Sequence, residues 1–183
     1  MNRLRDAMYS FLNALDRFLM NFLPDIEDDP QELPMNQDYG GRLYNVAFAS
    51  IGTDVSPDDI AHDFLGCMES VSQIVRKAFP EINFPVILST REAYTYFKNS
   101  PNFHETGVAR KGTIILNVTG TGNGKVANGH VGICGKNLAP DGSVYIMSNN
   151  SYTGKWDAFY TLKKWNRYFR DLGGMSTHFF ERV

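Results

Sequence analysis

Residues 128–135 read Asn128-Gly129-His130-Val131-Gly132-Ile133-Cys134-Gly135, and this stretch decides the architecture. Val131 and Ile133 alternate with His130, Gly132 and Cys134, the period-two pattern of a β-strand. Gly129 and Gly132 carry no Cβ and so leave room beside the imidazole for another backbone or a substrate. Working outward, 112–118 and 143–148 are further β-like segments, and Asp141-Gly142 before the second is a hairpin signal. A strand over 156–160 leads into a helix capped by Thr161, carrying Leu162, Trp165, Tyr168 and Phe169, and stopped by Gly173-Gly174. A last strand covers 176–182.

Upstream of this meander the pattern is helical. Ser56-Pro57-Asp58-Asp59 combines an N-cap serine, a proline at the first helical position and acids in the first turn. A second helix follows Gly66-Cys67, with Val71, Ile74, Val75 and Ala78 on one face and Arg76 and Lys77 near its end before Pro80. A third covers 90–98. Helices first and an antiparallel meander afterwards predict an α+β fold.

The first forty residues differ in kind. Over 1–23, Leu4, Met8, Phe11, Leu15, Phe18 and Phe22 recur in steps of four and three, widened by Leu12, Leu19 and Leu23, as in an amphipathic helix. Such a stripe must be buried, and three coverings are open to it: the body of the same chain, a partner or second copy, or a membrane surface. Its polar face mixes Arg3, Arg5 and Arg17 with Asp6 and Asp16, which disfavours the membrane. Residues 24–40 form an acidic linker with Pro24, Pro30 and Pro34. Residues 41–183 make up the working domain.

Composition removes several function classes. The net charge of −2 leaves no basic footprint for nucleic acid. Asp6, Asn13, Asp16 and Arg17 interrupt the N-terminal apolar stretch, so neither a signal peptide nor a membrane span is expected, and synthesis in the cytoplasm is. The two cysteines, Cys67 and Cys134, do not make a disulfide scaffold. The −6 of the linker leaves 41–183 mildly basic, with 15 Lys and Arg against 12 Asp and Glu.

Cys67 is the candidate nucleophile. At a helix start, unpaired backbone N–H groups favour a thiolate and donate to an oxyanion. His130 is the candidate base. A metal site is the rival use of these side chains, since His62 lies near Cys67 and His130 near Cys134. In a strand, however, Cα atoms four residues apart are about 13 Å apart at ~3.3 Å per residue, too far for two ligands of one tetrahedral zinc. Cys134, mid-strand and apolar on both sides, reads as core. Downstream, Val144-Tyr145-Ile146-Met147-Ser148-Asn149-Asn150 ends in amides that could orient the imidazole, although Asn150 serves equally well as a turn residue. Gly120-Thr121-Gly122-Asn123-Gly124-Lys125 has the wrong glycine spacing for a phosphate loop and precedes a strand, so it reads as a long turn or a mobile lip.

Gly66-Cys67 on a helix, followed 63 residues later by His130 in Gly129-His130-Val131-Gly132-Ile133, resembles the CHAP and NlpC-type branch of papain-like hydrolases. These are peptidoglycan amidases and endopeptidases, common in phage lysins and virion-associated lytic proteins. The resemblance covers about 41–183. It implies a papain-like minimal fold with the Cys67 helix packed on the antiparallel sheet, no cofactor, and Cys67 and His130 as the catalytic pair acting at the bacterial cell wall, either free or within a phage particle. Two departures stand out: Lys111-Gly112-Thr113 replaces the family's frequent Pro-Gly-Asp, and the acid near the orienting position is missing. The resemblance therefore carries the third role to Asn149. The competing expectation is a phage structural or adaptor protein that keeps the hydrolase-like fold, with 1–23 as its docking or self-association helix.

Overall fold

The computed structural model describes residues 38–56 and 66–183. The helix expected over 1–23, most of the 24–40 linker, His62 and the helix expected after Ser56 lie outside the described residues. Among the described residues, four α-helices and six strands follow one another as α1 (Tyr39–Ala49), α2 (Cys67–Ala78), α3 (Thr90–Asn99), β1 (Phe103–Thr106), β2 (Ile114–Asn117), β3 (His130–Leu138), β4 (Val144–Asn150), β5 (Lys155–Thr161), α4 (Leu162–Trp165) and β6 (Thr177–Arg182). Among the described residues no helix is long and apolar enough to cross a membrane.

The strands form one antiparallel sheet in the order β1-β6-β2-β3-β4-β5, so the chain is α+β as its sequence predicts. The last strand inserts between β1 and β2, which leaves β3 central. The hairpin at Asp141-Gly142 joins β3 to β4: Gly142 has φ 76, and Asp141 Oδ1 accepts from the Ser143 N–H at 3.0 Å.

The two sheet faces are covered differently. Met68, Val71, Ile74, Val75 and Ala78 of α2 pack with Leu116, Val131, Ile133, Met147 and Phe180 on one face. On the other, Trp165 and Phe169 pack with Ile115, Cys134 and Ile146. Cys134 is fully buried there, as expected of a core residue. Successive β3 residues alternate between the two layers, which is why Val131 and Ile133 go to one side and Cys134 to the other.

Local chemistry sets the helix ends. Ser89 caps α3 by accepting from the Glu92 N–H, and Thr161 caps α4 by accepting from the Lys164 N–H at 3.2 Å. Beyond Trp165 the chain continues as a π-helix, Asn166–Leu172, and Gly174 ends it with φ 68. Helix α1 begins under an Asp38 cap, within the last residues assigned to the linker.

Candidate active site

Gly66 is the N-cap of α2, and Cys67 is its first residue. A Cβ on Gly66 would lie 2.7 Å from Ser56 Oγ and 3.2 Å from Asn149 Nδ2. The missing side chain is therefore what lets these two polar groups close on the helix start. Glu69, buried in the first turn of α2, has the sign that the helix dipole favours there.

Cys67 meets β3 where the sheet opens. Strand β3 pairs with β4 as far as Ile133↔Met147, while β2 stays paired with β3 to Asn117↔His130. The Cys134 N–H donates toward β2, to Thr113 O, at 2.8 Å. By alternation the Val131 amide faces the other way, into the gap left where β4 parts. That amide, with those of Met68 and Cys67 itself, favours the Cys67 thiolate. Burial outweighs them and pushes the thiol up to about 11. The residue nevertheless keeps some exposure to solvent.

His130, one residue earlier and also half-buried, is held from the opposite face. Its ring stacks on Trp165 (centroids 5.2 Å apart, planes at 26°) and on Phe169 (5.6 Å, 23°), with Tyr160 edge-on at 6.1 Å. Nε2 lies 3.2 Å from Ser148 Oγ, where the tautomer decides which group donates. Burial pushes the imidazole down to about 4.

The structure thus brings Cys67 to the amide next to His130, but no hydrogen bond joins thiol and imidazole among the described residues. The orienting contact expected of Asn149 falls to Ser148, because the alternation of β4 sends Ser148 to the imidazole layer and Asn149 to the side of α2 and Gly66. Asn150 accepts from the Tyr152 N–H at 3.0 Å, the turn role. Gly129 and Gly132 make room for backbone: a Cβ would lie 2.0 Å from Asn117 O at the first and 2.7 Å from Met147 O at the second. The sequence did not single out Ser148, nor the platform of Trp165 and Phe169. The i, i+4 aromatic spacing was visible, but not what it covers.

Compared with protein-family models, with curated proteins and with solved structures, the chain gives no match.

Proposed function

We propose that this chain is a papain-like cysteine amidohydrolase or endopeptidase that cleaves an amide bond of bacterial peptidoglycan, with Cys67 as nucleophile and His130 as base. What supports this reading is a helix-start cysteine whose thiol reaches the Val131 amide and, on the preceding residue of β3, a histidine held by Ser148 on the other face of the sheet. His130 takes the thiol proton, and sulfur attacks the carbonyl carbon. The N–H groups at the start of α2 hold the oxyanion, and the imidazolium protonates the departing amine. Water then cleaves the thioester. The thiol lies on the α2 side of β3 and the imidazole in the Trp165–Phe169 layer, so this transfer requires the His130 side chain to turn toward Cys67 when substrate binds.

The choice of substrate rests on the sequence resemblance. It is supported by an open pocket of about 710 Å³ whose lining includes Lys163, Arg167 and Arg170, the last paired with Asp171, which also lines it. The net positive charge of these side chains suits an anionic wall polymer. Purified cell walls incubated with the protein should clear, and Cys67→Ser and His130→Ala should each abolish clearing while Cys134→Ser does not. Equal loss from both cysteine changes would overturn the assignment.

A second reading is a phage structural or adaptor protein that keeps this fold without turnover, and the missing thiol–imidazole hydrogen bond favours it. A folded wild-type protein that releases no soluble fragment from walls would select it.

A further inference from the structure

We propose that the acidic residues 25–32 of this chain dock on the cationic face of its own helical segment Leu162–Leu172, so that one part of the protein shields the other. The contact does not depend on the hydrolase reading above.

Helical spacing builds the face. Trp165 and Phe169 are buried against the sheet. Lys163, Arg167 and Arg170, at i, i+4 and i+7, stand on the outer side and line the open pocket beside Ser143 of the β3–β4 hairpin. Lys164 adds a fourth exposed cation. Against these the segment has one acid, Asp171, paired with Arg170 at 2.8 Å. Asp141 lies near Lys163, but its carboxylate already accepts from Ser143 and Thr161. Lys164 and Arg167 have no ion pair among the described residues.

The complementary charge is on the same chain. Residues 25–32 hold Asp25, Glu27, Asp28, Asp29 and Glu32 and no base. They lie outside the described residues, which begin at Asp38, and the position of Asp38 sets their reach. Helix α1 starts against the residues that lead into β2: a Cβ on Gly40 would lie 2.8 Å from Lys111 O, and the Gly112 N–H donates to Cys134 O of β3. In the antiparallel order β2-β3-β4-β5, the start of β2 and the end of β5 fall at one end of the sheet. Three strand spacings of ~4.8 Å, about 15 Å in all, separate them. An extended chain from Asp38 back to Glu32 spans up to about 20 Å, and back to Asp29 about 30 Å.

Cations nearer to Asp38 are engaged elsewhere. Arg42 pairs with Glu81, Arg110 with Glu181, and Arg182 lies over the Tyr39 ring. Arg76 and Lys77 are also exposed, but Asp54 shares their pocket. An exposed ion pair contributes little alone. Several act together on this face, and the short covalent connection holds the acids at an effective concentration on the order of 1 mM. Any anionic partner of the face, a wall polymer included, must displace residues 25–32.

The test is zero-length carbodiimide cross-linking of the full chain, with monomer and dimer separated and their peptides read by mass spectrometry. Cross-links from the acids of 25–32 to Lys163 or Lys164 are expected in the monomer. Their yield should fall about tenfold between about 0.01 M and about 1 M NaCl, as the screening length shrinks from about 30 Å to about 3 Å. Added sodium polyphosphate should lower it by competition. Arg167→Glu, at an exposed position, should lower it several-fold, although an arginine cannot itself be cross-linked. Absence of these cross-links in the wild type overturns the proposal, and so do cross-links confined to Lys77, Lys111 or Lys136. Cross-links found only in the dimer assign the face to a second copy and overturn it as well. A yield unmoved by salt, polyphosphate or Arg167→Glu has the same consequence. None of these readouts involves wall hydrolysis, so a failure here leaves the hydrolase reading standing. An inactive protein with the expected cross-links defeats only that reading.

Discussion

The indole N–H of Trp165 donates to Oδ1 of Asn117 at 2.5 Å, and both residues are fully buried. Asn117 Nδ2 donates in turn to Ser176 O and Thr177 Oγ1, so a single amide ties β2, β6 and the aromatic platform under His130 together. Asn117→Leu keeps the volume and leaves the indole N–H buried without an acceptor. The expected cost is about 1–3 kcal/mol, read as a lowered urea midpoint. Since Trp165 is then free to tilt, wall hydrolysis should fall further than the stability loss alone accounts for.

A methyl group at Gly132 meets Ile146 Cγ2 and Met147 O at 2.7 Å and Ser148 Cβ at 3.2 Å. A backbone carbonyl cannot rotate out of the way, so β4 must shift away from β3. Gly132→Ala should destabilise the fold by about 1–3 kcal/mol. It should also lengthen the contact from Ser148 to His130. The NMR shift of His130 Nε2 reports that second effect independently of unfolding.

Much of this architecture could be read from the chain, and the failures have specific causes. Helices α2 and α3 were legible because their apolar faces recur at helical spacing between clear caps and stops. The β3–β4 hairpin was legible from Asp141-Gly142. Helix α1 was hidden, because Gly40 and Gly41 at its start lower helix propensity and its capping Asp38 closes an acidic run. Strand β1 is four residues at the sheet edge with only Phe103 buried, too little for any alternation to show. The cysteine and histidine of the candidate site stood out through their chemistry, whereas Ser148 did not. A register counted back from the turn places Ser148 opposite Cys134. The irregularity between Cys134 and Leu138 moves Ile146 there instead, which carries Ser148 toward His130. A hydroxyl among strand residues gives no other signal.

Helix α2 is tethered to the loop before α3 through Ser72. Its hydroxyl donates to Met68 O at 2.8 Å and accepts from the Ile87 N–H at 3.0 Å, all of it buried. Ser72→Ala leaves that N–H without a partner and should cost about 1–3 kcal/mol, seen as earlier thermal unfolding. Ser72→Cys, close in size but a weak acceptor, should fall between the two.

The two half-buried titrating groups give the fold a stability window bounded on both sides. His130 is lowered to about 4 from its ordinary 6.5, so between these values the unfolded chain carries a proton that the folded chain does not. The unfolded state binds more protons, and stability falls as the pH drops through that range. By pH 5 the loss should be about 1–2 kcal/mol. Glu81, Glu105 and Asp141 are lowered carboxylates, and their losses begin only nearer pH 4.5, so the range from 6.5 to 5 isolates the histidine. Cys67 is raised to about 11 from 9.0. Above pH 9 the unfolded chain releases the thiol proton first, and stability is lost as the pH rises toward 11. Cys134 is raised in the same direction by burial and by Glu181 nearby. Urea midpoints from pH 5 to 10.5 should therefore form a plateau with two falling shoulders. His130→Gln should flatten the acid shoulder above pH 5, and Cys67→Ala should flatten only part of the alkaline one. An acid shoulder unchanged in His130→Gln would mean that the imidazole is not buried as its platform of Trp165 and Phe169 requires.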